Sequence, residues 1–348
     1  MPLVPNNGKL HIDLDGPSAV ADLVEAARVI DPLKAATHFG TESRVVADIE
    51  DHLFFLSATN PGWFAPFRDE AVIELSDRLP MNVDVAANLL GGCSEVAVDA
   101  VMERLRTAPE SWRDLSTLVG IGSESALSAL ADHVRREPPS GEWVNRLGVH
   151  VPTSGQAVRR FAPERTSMHA VESGTDGVTG LALDAVAADA DEITWHYLSF
   201  DVSAAPGLPN WPHQALHLVS PRTYWFTLHS GVADDGRYTG AIVDDQGEPF
   251  DVGLEDCEAN PRSSTGLLLR PYDADLTYRN GHIFMTPGVV GTAGGAPIGL
   301  DPTPNCPGCN VLMFHGAAIE SRDYGEGFRS VFYCEQCVRV AVTGSNWN

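Results

Sequence analysis

Apolar residues recur with a helical period from Pro17 to about Glu137; Val20, Leu23, Val24, Ala27 and Ile30 fall on one stripe with polar residues between them. Helix starts are predicted at Thr41, Ser94, Ser111 and Ser123, each of which carries a side-chain oxygen able to accept from an unpaired first-turn amide. The period stops at Pro138-Pro139-Ser140-Gly141, and a turn-rich passage follows through Thr153-Ser154-Gly155. After about Ala170 the pattern becomes alternating, β-branched or aromatic. Residues 193–202, 222–228, 238–243, 267–276 and 282–285 read as strands. Asp234-Asp235-Gly236 and Asp244-Asp245-Gln246-Gly247 supply the turn residues of tight hairpins, so a meander of antiparallel strands is expected. The pattern therefore predicts an α+β chain with a helical domain over 1–140, a β-rich domain over 141–299 and a closing segment over 300–348 packed on it.

Two helical stretches match at an offset of 29 residues. Gly91-Gly92-Cys93-Ser94-Glu95 with Ala97, Ala100, Arg106 and Pro109 aligns with Gly120-Ile121-Gly122-Ser123-Glu124 with Ala126, Ala129, Arg135 and Pro138. A unit of this size buries its apolar face only by stacking on a neighbour, as helical repeats do. The pair resembles the HEAT family of helical repeats, which implies an extended protein-binding face. The alternative is that two alanine-rich, serine-capped amphipathic helices look alike because helix chemistry restricts the choices.

The 348 residues suffice for two domains, and 43% hydrophobic with 20% charged content is that of a soluble globular chain. The formal charge of −24 arises from 47 acidic against 23 basic residues, of which only Lys9 and Lys34 are lysines. Such a surface repels phosphate backbones, and the densest basic run, Arg159-Arg160 with Arg165 nearby, reads as solvated surface. Neither a nucleic acid nor a membrane is an expected partner; no window reaches the eighteen apolar residues of a bilayer span. The first residues, Met1-Pro2-Leu3-Val4-Pro5-Asn6-Asn7, do not form a charged start followed by an apolar run, so a cytoplasmic location is expected.

The sharpest chemical signal is Cys306-Pro307-Gly308-Cys309 and Cys334-Glu335-Gln336-Cys337, two Cys-x-x-Cys pairs with 24 residues between them. Two intervening residues let both thiolates of one turn point at one ion, and the segment between the pairs can form a hairpin that brings them together. Residues 311–314 and 330–333 are the expected strands of that hairpin, with 320–327 as its tip. Asn310 suits the left-handed conformation that often follows such a turn, whereas Val338 suits it less. In a reducing compartment this pattern favours metal over disulfides. The prediction is one structural Zn²⁺ held by Cys306, Cys309, Cys334 and Cys337, making 300–348 a zinc ribbon. A redox dithiol is the competing reading; it normally sits at a helix N-terminus, and here a strand follows.

Gly294-Gly295-Ala296-Pro297, Pro304-Asn305-Cys306-Pro307-Gly308-Cys309, Met313-Phe314 and Tyr324-Gly325-Glu326-Gly327 leading into Val331-Phe332-Tyr333-Cys334 resemble the C-terminal part of the YwqG-like family of unknown function. The likeness spans roughly Gly281 to Val342 and implies a β-rich α+β domain without assigning an activity.

His213 and His217 lie four apart, but Pro206, Pro209, Pro212 and Pro221 oppose a helix that would bring them onto one face. His196 and His229 lie in predicted strands. Asp189, Asp191 and Glu192 lack the ligand spacing and glycine of a calcium loop. Ser154-Gly155 and Ser173-Gly174 are not nucleophile elbows, the glycines at 291–295 lack the lysine of a phosphate loop, and Cys93 and Cys257 read as buried single thiols. The function expected is a non-catalytic protein-binding or adaptor protein whose partner is another protein. The alternative is an enzyme using some of His196, His213, His217 and His229 with a carboxylate such as Asp201. A nucleic-acid reader is disfavoured because Glu320, Asp323, Glu326 and Glu335 make the ribbon acidic.

Overall fold

The computed structural model describes residues 21–22, 61–74, 87, 89–172, 175–178, 180–187, 194–209, 211–213, 215–221, 226–232, 238–243, 257–259, 265–271, 289–297, 303–320 and 327–346. The stripe Val20 to Ile30 (apart from Ala21 and Asp22), the start at Thr41, the turns 234–236 and 244–247, the strand 282–285 and the acidic cluster 189–192 lie outside the described residues. The described residues divide into two compact units, one ending at Val158 and one beginning at Arg159. The chain combines helices with antiparallel β-structure, the α+β class that its periodicity predicts.

The described residues of the first unit are mostly helical. A 3₁₀ turn over Pro61–Phe67 runs into α1 (Arg68–Glu74), followed by α2 (Glu95–Thr107), α3 (Trp112–Ile121), α4 (Glu124–Arg136) and α5 (Ser140–Arg146). Ser94, Ser111 and Ser123 are the N-cap residues of α2, α3 and α4. Ser111 and Ser123 accept from the amides of Asp114 and Ala126, as a cap should. Ser94 does not cap with its side chain. Its hydroxyl and amide instead bind Asp69 of α1, the amide at 2.8 Å, and together they hold that carboxyl below its ordinary pKa. Helices α2 and α4 are each 13 residues long, and both ends of α4 lie 29 residues beyond those of α2. Ala97, Val101 and Leu105 in α2, Leu115, Leu118 and Val119 in α3, and Ala126, Leu130 and Ala131 in α4 are wholly buried, so the apolar stripes form the core.

Inside that core one polar tie joins three segments. Arg104 donates from Nε to Asp114 at 2.7 Å and from Nη1 to the Val72 carbonyl at 3.1 Å, while the Ser111 hydroxyl donates to the other oxygen of Asp114 at 2.9 Å.

β1 (Val149–His150) and β2 (Val158–Arg159) pair as a two-stranded sheet, and the remaining strands, all in the second unit, form one antiparallel sheet. These are β3 (Arg165–Val171), β4 (Gly180–Ala187), β5 (Thr194–Asp201), β6 (Ala215–Pro221), β7 (Phe226–Val232), β8 (Tyr238–Val243), β9 (Cys257–Ala259), β10 (Thr265–Pro271), β11 (Val289–Gly294), β12 (Phe314–Glu320), β13 (Gly327–Cys334) and β14 (Arg339–Asn346). Their order is β6-β5-β4-β10-β3-β11-β12-β13-β14-β7-β8, with β9 on β4. Sequence neighbours pair in β4–β5–β6, β7–β8 and β11–β14, but β10 inserts between β3 and β4 and β7 joins β14, so the expected simple meander is interrupted.

Strands β12 to β14 are central and buried on both faces. Phe314, Ala317, Val331, Tyr333, Val340 and Val342 belong to the main core with Met168, Phe200, Trp211 and Leu216. Tyr333 meets the Trp211 ring edge-on at 5.3 Å and donates its hydroxyl to the Pro209 carbonyl at 3.2 Å. The alternate positions Phe332, Cys334 and Ala341 cluster with Cys306 and Met313. The period-two alternation thus assigns one face to the core and the other to the cysteines.

Asp114→Ala is expected to lower the unfolding free energy by roughly 2–3 kcal/mol, because it leaves the Arg104 guanidinium without its carboxylate. Urea unfolding followed by far-UV circular dichroism measures this, and Arg104→Met in the Asp114→Ala background should recover part of the loss.

Candidate metal centre

Each cysteine pair occupies a hairpin turn. The first turn is closed by the Cys306 amide donating to the Val311 carbonyl at 2.8 Å, by the Asn310 amide donating to Cys306 at 2.7 Å, and by a bridge between Asn305 and Leu312. Val311 and Leu312, expected to open a strand, are engaged in closing this turn, and β12 begins only at Phe314. The second turn joins β13 to β14, with Cys334 opposite Arg339. Since Phe314 pairs with Tyr333, the register of β12 on β13 brings the two turns to the same end of the hairpin.

There the Sγ atoms of Cys306, Cys309, Cys334 and Cys337 all lie within 4.8 Å of one another. Cys309 Sγ is 3.7 Å from Cys334 Sγ. A tetrahedral ion with metal–sulfur bonds of about 2.3 Å spaces its sulfurs by about 3.8 Å, whereas a disulfide needs about 2.05 Å. These cysteines are free, and their donor set and spacing fit one metal ion. Cys306 and Cys334 are buried; Cys309 and Cys337 are half-buried.

Burial pushes the Cys306 thiol up, and it pushes Cys334 up to about 11. Cys337 is raised first by its hydrogen bond with Cys309 and then by burial. Cys309 differs: burial raises it too, but hydrogen bonds from the Val311 amide and from the neighbouring thiols outweigh that and hold it below the ordinary thiol value. Without an ion, three of the thiols therefore keep their protons at neutral pH.

The backbone around the cluster is specialised. Asn310 and Val338, each directly after the second cysteine of a pair, have φ of 57° and 50°. Asparagine tolerates this left-handed conformation; a β-branched valine is strained in it by an amount on the order of 1–3 kcal/mol. Gly308 is constrained by space: a Cβ there would lie 3.0 Å from Cys337 Sγ and 3.4 Å from Arg339 Nε. The glycine of Cys-Pro-Gly-Cys lets the first turn approach the second pair's sulfur.

Sequence reasoning missed three charged or titratable neighbours. Arg160 and Arg165, expected to be solvated, are internal ties. Arg160 donates to the Leu312 carbonyl at 2.8 Å and pairs with Glu335 at 3.1 Å. Arg165 donates to Thr292 Oγ1 at 3.0 Å and to the Ala296 carbonyl at 2.6 Å, lying across Gly295, where any Cβ would come within 2.5 Å of its Nε. His315 is fully buried, donates from Nδ1 to the Gly295 carbonyl at 3.0 Å and packs on the Phe332 ring. The glycines at 294 and 295 thus serve this buried junction.

Asp201 accepts from the Ser203 amide and hydroxyl at 2.9 and 2.7 Å, acting as the N-cap of a short 3₁₀ turn. His213 stands edge-on to Trp211 at 5.5 Å, and its buried Nε2 has no hydrogen-bond partner among the described residues. His217 belongs to strand β6, opposite Ser199, and His196 lies three positions along β5, opposite Ser220. His229 is on β7, opposite Ala341. Cys93 is buried, and burial together with the Asp69 charge raises its thiol to about 12, so it is an inert packing residue. Cys257 lies in β9, opposite Ala187.

Metal uptake near neutral pH is expected to release at least three protons per ion, from Cys306, Cys334 and Cys337, so apparent affinity rises with pH; calorimetry in buffers of different ionisation enthalpy counts them. Asn310→Val should weaken metal binding by about 5–30-fold, the equivalent of roughly 1–2 kcal/mol of left-handed strain, as read by chelator competition. No protein-family model, no curated protein and no solved structure matches this chain.

Proposed function

We propose that the chain is a non-catalytic protein-binding or adaptor protein whose β-rich unit is fixed by one structural zinc ion in a ribbon-like hairpin. The observation that carries this reading is the four-thiol cluster, with every sulfur within 4.8 Å of the others. Thiolate sulfur in a tetrahedral set selects zinc among the common divalent ions, and four protein ligands leave no position for water or substrate. The ion then holds the fold rather than performing chemistry.

The binding role is supported by the helical unit. Equal lengths and a serine at the N-cap position of both α2 and α4, 29 residues apart, favour a stacked helical repeat, an architecture that presents a continuous face to a partner. Val96 on α2 and Ile73 on α1 are 64% and 43% exposed, so apolar side chains stand available on that unit. Among the described residues no helix is long and apolar enough to cross a membrane. The likeness to the YwqG-like family of unknown function is part of the same reading and adds no activity.

Metal analysis of reduced, full-length protein is expected to find one zinc per chain. Strong chelator should then lower the melting temperature by more than about 10 °C, since such sites contribute free energy on the scale of a whole domain's stability. Protein without stoichiometric zinc, melting identically with and without chelator, would sink the metal reading. Recovery of a stoichiometric protein partner, lost on Val96→Glu but kept by wild type, tests the adaptor role.

A further inference from the structure

The two cysteine turns are bridged by one side chain from far outside the hairpin. Arg160 donates from Nε to the Leu312 carbonyl at 2.8 Å, and Leu312 pairs with Asn305 to close the first turn. Its Nη1 and Nη2 groups reach Glu335 at 3.1–3.3 Å, and Glu335 is the first residue inside the second turn. The guanidinium lies 5.7 Å from the Phe314 ring centroid, and the side chain is only 14% exposed. The main chain is fixed as well, because the His315 amide donates to the Arg160 carbonyl at 2.7 Å and Phe161 bridges to His315. Both ends of the guanidinium are therefore in use, one edge on each turn.

We propose that Arg160 is a positioning residue of the metal centre, holding the two cysteine turns at the separation a tetrahedral ion requires and so slowing release of the ion. This rests on the reading of the cluster as a zinc site. Glu335 neutralises the guanidinium, so Arg160 acts chiefly through geometry and not as a counter-charge to the thiolates. The geometry is specific to arginine: a planar fork satisfies a carbonyl on one edge and a carboxylate on the other, while the single ammonium of lysine reaches only one of them. Residues that orient metal ligands from outside the coordination shell commonly change affinity by about 10–100-fold when removed. Arg339, beside Gly308 and Cys337, is the neighbouring cation, and it stays in place in the variants below.

The test uses full-length protein loaded with cobalt(II), whose visible absorption reports tetrahedral thiolate ligation, and follows transfer of the ion to excess chelator. Wild type is expected to bind one cobalt per chain and release it slowly. Arg160→Met should release it about 10–100-fold faster. Arg160→Lys and Glu335→Gln, which each keep part of the bridge, should fall between the two and also serve if Arg160→Met does not fold. Leu267→Ala, a core substitution away from the cysteines, should melt earlier yet release cobalt at the wild-type rate. Equal release from wild type and the Arg160 variants would overturn the role of Arg160 and leave the metal site standing. So would Leu267→Ala releasing as fast as Arg160→Met, since the effect would then be general loosening. A wild-type chain that takes up no cobalt would overturn both.

Discussion

The β-rich unit depends on four sulfur atoms meeting at one end of a central hairpin. Cys306 and Cys309 belong to a turn before β12, and Cys334 and Cys337 to the turn after β13, so the sulfurs converge only if Phe314 faces Tyr333. A slip of one residue would turn Phe332 and Cys334 toward the main core and Val331 and Tyr333 away from it. Register, core packing and sulfur convergence are thus one constraint expressed three ways. Burial keeps Cys306 and Cys334 protonated without an ion, because a bare thiolate there is poorly solvated. An ion removes that conflict by giving the buried sulfurs a charge to bind.

The same site carries the unit's clearest backbone strain. Both turns need a left-handed residue after their second cysteine, and asparagine fills one position while valine fills the other. Val338 also packs partly against the main core. At that position apolar contact offsets the conformational strain. Such a balance works only when the surrounding structure over-determines the conformation, as an ion held by the four thiolates of this buried hairpin would.

What could be read from the sequence was local. Serine caps at 111 and 123 meet first-turn amides three residues on, and the four cysteines announce themselves by spacing alone. Strand existence was legible from alternation, as at 238–243, which matches β8. Strand order was not, because the pairing of β3 with β10 and β11 joins segments about a hundred residues apart and no local signal chooses between possible partners. Arg160 was misread for the same reason. Its partners lie 152 and 175 positions away, so a basic run at 159–160 looks solvated until the sheet is assembled. At Ser94 a cap signal was present but a tertiary partner, Asp69, took the hydroxyl.

Arginine usage gives these separate ties a common cause. All but two of the 23 basic residues are arginine in a chain of formal charge −24. If cations served only to moderate surface charge, lysine would do equally well. Arg104, Arg160 and Arg165 instead each bind a backbone carbonyl and a side-chain oxygen at once, and each joins segments distant in sequence. A lysine at any of these places would satisfy one acceptor and abandon the other, leaving a poorly solvated carbonyl or carboxylate at a net cost of about 1–3 kcal/mol. Arginine is therefore selected here by the number and direction of its donors. The same multidentate geometry that braces the helical core at Arg104 braces the two cysteine turns at Arg160.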